Sequence, residues 1–141
     1  MIQRLQSLYL LFAALFVVLF LVFGDVWYTF VAATYAWVTP AALVLGGLTA
    51  LVALVAVFLY KDRKKQRAVV RAAQWLDLGL VLVLVGCVVG LSLNEDVVLG
   101  TAATAVYLTL ILPIIAYVFL RLALRGVEKD IALVRSMDRL R

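Results

Sequence analysis

The sequence predicts an all-α integral membrane protein: a four-transmembrane-helix bundle with both termini in the cytoplasm. Three observations carry that prediction. Of 141 residues, 67% are apolar and 15% charged, whereas a soluble domain has about half and about a quarter. With mean hydropathy at +1.16, a soluble globule of this size has too little interior to hide the apolar surface. The charges, finally, are confined to a few short segments that leave long uncharged runs between them.

A spanning helix needs about 20 mostly apolar residues to cross roughly 30 Å of hydrocarbon. The first run covers about residues 5–24. It carries one preceding cation and no A-x-A site, and it exceeds the apolar core of about 7–15 residues typical of a signal peptide, so a retained helix is expected. The connection GDVWYTFVAATYAWVTP follows. Its segments VWYTF and TYAWV are β-prone, which suits a short hairpin; an irregular loop with an interfacial aromatic belt is the alternative. Trp27, Tyr28, Tyr35 and Trp37 are expected as interfacial anchors either way. The second helix is expected at about 40–60, opened by Pro40, a good first-turn residue. The third is expected at about 74–94, with Trp75 at its cytoplasmic interface. The fourth, at about 97–120, is long enough to tilt and contains Pro113, which removes one backbone donor and favours a kink.

The stretch YKDRKKQRAVVR, residues 60–71, holds six cations and one acid. All thirteen Lys and Arg fall at Arg4, within Lys61–Arg71, or from Arg121 onward, while the other two connections contain three acids and no cation. With four spans these groups alternate across the membrane. The positive-inside rule then places the basic segments and both termini in the cytoplasm. No interleaved aromatics or recognition motif accompany the cations, so no nucleic-acid partner is expected.

In the third helix Gly79, Gly86 and Gly90 fall within about 40° of one another on a helical projection. Small residues mark where backbones meet in lipid, and the second helix has a matching series, Ala42, Gly46 and Ala50. The expected contact is tight packing of helices two and three, with homodimerisation through the glycine face as the alternative. Asp77 is the intramembrane ionisable residue, with Gln74 on nearly the same face. An ion pair with Arg4, Arg71 or Arg121 is expected, against a proton or cation site.

Chemistry is sparsely provided for. The chain lacks His and has one cysteine, Cys87, which excludes a disulfide, a zinc site or bis-histidine haem within one chain. No Ser/His/Asp set or phosphate-cradling glycine loop is present. Neither an enzyme nor a cofactor is expected, and Cys87 reads as a small buried hydrophobe.

The tail, 121–141, reads as an amphipathic helix. Leu120, Leu124, Val127, Ile131 and Val134 make an apolar stripe, and Arg121, Arg125, Lys129, Arg135 and Arg139 a basic face. Gly126 interrupts its pattern at a cost of about 1 kcal/mol. Such a helix suits anionic lipid, each cation adding about 1 kcal/mol of attraction, a protein partner, or the Val69/Val70 segment of the same chain.

The opening MIQRLQSLYLL and the closing EKDIALVRSMDRLR resemble a family of four-span inner-membrane proteins found in the Bacteroidota, the domain of unknown function 4293. YTF in the first connection and the basic segment between helices two and three are similar to its pattern too. The matching positions are Gln3, Arg4, Gln6 and Ser7 at the start, and Lys129, Asp130, Leu133, Val134, Arg135, Ser136, Asp138, Arg139 and Arg141 at the end. The resemblance implies four spans and a bacterial inner-membrane location, and it supplies no activity. A neutral polar residue is the expectation for the family at position 77, from which Asp77 departs. Both motif sets lie at the cytoplasmic face, where Arg4 and the glutamines are placed to clamp the tail. The function expected is a non-catalytic accessory or scaffold subunit engaging anionic lipid, a membrane protein partner or a homo-oligomer. The alternative is a small transporter or channel component using Asp77.

Overall fold

In hydrocarbon every backbone amide must find its partner within the protein, and a helix does so within its own segment. The computed structural model describes residues 2–60, 62–93 and 102–138. It contains four long helices: α1 (Ile2–Phe23), α2 (Val38–Phe58), α3 (Arg63–Leu93) and α4 (Ala102–Asp138). Each is long and apolar enough to cross a membrane. Each also turns large apolar side chains outward, among them Leu15, Leu51, Leu82 and Leu108, as lipid requires and water penalises. The chain is a multi-pass membrane protein.

The helices close into a ring, α1 packing against both α2 and α4, and α3 against the same two. One periodicity generates the interior. Buried positions on α1 are Gln6, Leu10, Ala13, Val17 and Phe20; on α2, Ala42, Gly46, Thr49, Ala53 and Ala56. On α3 they include Gln66, Val70, Ala73, Asp77 and Leu80; on α4, Ala116, Leu120, Ala123, Val127 and Asp130. Spacing runs four, three, four, three on every helix, the seam of antiparallel helices crossing at a shallow angle. Phe119 of α4 meets Tyr9, Phe12 and Phe16 of α1 at ring-centroid distances of 6.1, 5.5 and 5.7 Å, contacts worth about 0.5–1.5 kcal/mol each beyond area burial.

Three elements differ from the sequence expectation. The segment after α1 winds as a π-helical turn, Trp27–Val31, and one α-helical turn, Ala32–Thr34, with no hairpin among the described residues. A lone two-stranded hairpin is marginal, whereas winding satisfies the backbone locally, as in Tyr35 N–H to Val31 O at 2.9 Å. Trp27 is no interfacial anchor either: it is fully buried, and its Nε1 donates to Thr109 Oγ1 at 2.8 Å. Second, α3 starts at Arg63 instead of 74, so most of the basic segment is helical. Third, α4 passes through Pro113 and Gly126 without a break, and the tail continues the fourth span. At 1.5 Å per residue these helices measure roughly 46 and 55 Å. Both exceed the hydrocarbon thickness, and their charged ends extend together. Glu95, Asp96 and the first expected residues of the fourth span, 97–101, lie outside the described residues.

Candidate functional site

The basic end of the bundle is assembled around the start of α3. Asp62 caps that helix, its Oδ1 accepting from Lys65 N–H at 3.1 Å and its Oδ2 lying 3.4 Å from Lys65 Nζ, an N-cap arrangement. The backbone N–H of Lys65 is the main reason the Asp62 carboxyl titrates below its usual range. One turn on, buried Gln66 donates through Nε2 to Ala56 O at 3.1 Å. That carbonyl is among the last four of α2, which have no partner within their own helix. The α2–α3 turn is thereby tied at both ends. Asp followed by a helix-forming run is a capping signal that the charge density of this segment concealed.

At the same end Gln6 of α1 donates through Nε2 to Asp130 Oδ2 of α4 at 2.8 Å, with both side chains buried. The clamp between chain ends therefore uses this pair. Arg63 Nη1 lies 3.5 Å from Asp130 O, so one residue gathers α1 and α3 onto α4. Gly126 makes room for it: a Cβ there would fall 2.7 Å from Gln6 Cγ. Its place in the helix answers to that close approach.

Between α3 and α4 lies a cleft of about 600 Å³ lined by Arg71, Gln74, Trp75, Tyr117, Arg121 and Glu128, with Leu78 and Leu124. Arg71 Nη2 bonds Glu128 Oε1 at 3.1 Å across its mouth. Of the tail's stripe, Leu120, Leu124 and Val127 are buried in the bundle, Ile131 is half-buried and Val134 exposed. Arg121, Arg125, Lys129 and Arg135 are all exposed. The side chains of Gln3, Arg4, Asp138, Arg139 and Arg141 lie outside those described.

The small-residue series separate. Gly46 faces α1, where a Cβ would fall 2.9 Å from Leu21 Cδ2, and Ala42 and Ala50 are buried with it. Gly79 and Gly86 have nothing within 4 Å of such a Cβ, and Gly90 lies against the Tyr35 hydroxyl. Gly79 and Gly86 therefore do not form the expected contact with α2, because the seam of α3 runs through Ala73, Asp77, Leu80, Leu84 and Cys87 on another face. Cys87 is buried and free.

Asp77 occupies the α3 seam and is 0% exposed. On α3 it falls between Ala73 and Leu80, which belong to the two larger apolar clusters. Neither carboxyl oxygen has a hydrogen-bond partner, and no ion pair reaches it among the described residues. Arg71, one expected partner, is instead bound to Glu128. Gln74, one turn nearer the basic end, lines the cleft. Among the described residues no three His, Cys, Asp or Glu side chains are grouped to hold a metal.

No curated protein and no solved structure matches the chain. A family model matches residues 2–140, almost the entire chain. The chain, a ring of four apolar helices with its ends hydrogen-bonded together, belongs to the family described as Domain of unknown function (DUF4293).

Proposed function

We propose that this protein is a non-catalytic accessory or scaffold subunit of the bacterial inner membrane, with both termini cytoplasmic, whose basic end engages anionic lipid or a protein partner. The observation that supports this reading is the joint extension of α3 and α4 past the hydrocarbon thickness. Bound together through Arg71 and Glu128 and to α1 through Gln6, they present Arg121, Arg125, Lys129 and Arg135 to solvent and leave Leu133 and Val134 uncovered. Exposed apolar residues beside a basic face suit a partner's apolar patch or an anionic leaflet. The alternation of basic and acidic segments along the sequence supports the orientation. Photoreactive probes at Leu133 and Val134 in native membranes, read by mass spectrometry, test the partner. A specific protein crosslink is the expected product; crosslinks confined to lipid and to this chain's own α1 and α3 would remove the scaffold reading.

Asp77 favours a second reading, a small transporter or channel component. A buried carboxyl without a partner at the bundle centre is the kind of group through which ions and protons are handled in membranes. Proteoliposome flux that Asp77→Asn leaves unchanged would eliminate it.

A further inference from the structure

The α3–α4 cleft grades from charge to grease along its length. Arg71 and Arg121 stand at one end, Arg121 being the first charge on α4 after its long uncharged run. Glu128 bonds Arg71, while Arg121 is exposed and has no ion-pair partner among the described residues. Two cations against one carboxylate leave the cleft with one surplus positive charge. Deeper along the same helices its walls are Trp75, Leu78 and Tyr117, and Trp75 is 68% exposed. A large exposed indole at the level where charge gives way to apolar sequence is suited to the membrane–water boundary.

We infer that this cleft holds an anionic phospholipid, its phosphodiester between Arg71 and Arg121 and an acyl chain along Trp75, Leu78 and Tyr117. The surplus charge of one matches the single charge of a phosphodiester, and guanidinium groups bind phosphate oxygens through paired donors. A soluble phosphate would use the same cations and leave the apolar wall unused. This rests on the reading that the basic end engages the membrane, and it narrows that reading to one lipid class and one site.

Native mass spectrometry of the full chain tests it, with the protein stripped of lipid in detergent and offered phosphatidylglycerol or phosphatidylcholine. Phosphatidylglycerol should be retained at the higher collision energy, and Arg121→Ala should weaken its binding roughly tenfold. Trp75→Ala, which leaves the charge unchanged, should weaken it as well, while Arg135→Ala, remote from the cleft, should not. Millimolar inorganic phosphate should not displace the lipid. Equal retention of the two lipids, an equal loss with Arg135→Ala, or displacement by phosphate would each overturn the assignment. The assay contains no partner protein, so its failure is separable from a failed crosslink at Leu133 and Val134.

Discussion

Gln6 and Asp130, 124 positions apart in sequence, share a buried hydrogen bond of 2.8 Å. It joins the first helix to the last at the basic end of the bundle, with both side chains buried in protein. Removing either side chain strands the other, at a cost of about 1–3 kcal/mol. The double variant Gln6→Ala/Asp130→Ala should therefore cost little more than one single variant. Thermal unfolding in detergent gives the cycle; strictly additive losses would show that the two do not act as a pair.

Gly126 and Gly86 should respond oppositely to the same change. Alanine is favoured over glycine within a helix by about 1 kcal/mol. Gly86 is open, so Gly86→Ala should be neutral or stabilising. Gly126→Ala drives a methyl into Gln6 and should lower the melting temperature despite its better helix propensity. A higher melting temperature for Gly126→Ala would mean that Gln6 relocates freely.

Asp77 is 0% exposed, and neither of its carboxyl oxygens has a hydrogen-bond partner. Exchanging an unpaired buried polar group for an apolar one is expected to stabilise the bundle by about 1–3 kcal/mol. Asp77→Leu should raise the melting temperature in detergent. A large drop instead would show that the carboxyl serves an ion or a water molecule in the folded protein.

Asp62 makes the first turn of α3 sensitive to acid. Its folded carboxyl titrates below the ordinary 3.8, chiefly because Lys65 N–H bonds the ionised form. A depressed value contributes stability above the unfolded pKa, and that contribution is lost as pH falls below about 3.8 towards the folded value. Protection of the Lys65 amide, measured against its intrinsic exchange rate at each pH, should fall on acidification through this window in the native protein. With Asp62→Ala protection should already be low and show no such step.

The four spans were legible because they depend on length and hydropathy, and the meeting of the chain ends was suggested by the family-like motifs that hold Gln6 and Asp130. Which face of α3 turns inward was not read. Gly79 and Gly86 suggested close approach, yet a small residue on a lipid-facing surface has the same appearance in sequence. The decisive pattern, Gln66, Val70, Ala73, Asp77 and Leu80, includes one acid and one glutamine, so it does not stand out as an apolar stripe. Propensity misled at VWYTF: aromatic and β-branched residues favour strands, but the burial of Trp27 and Val31 was won by a helical wind. The start of α3 was missed for a related reason, since six cations obscure a capping Asp62 and the helix behind it.

A ribosome makes Gln6 long before Asp130. Until α4 has emerged, α1 lacks one flank, its phenylalanines at 12 and 16 wait for the ring at 119, and the Gln6 amide lacks its Asp130 acceptor. The bundle is thus sealed by the last helix to be inserted. A nascent chain that stops before α4 leaves that flank of α1 uncovered, a surface that the finished protein conceals.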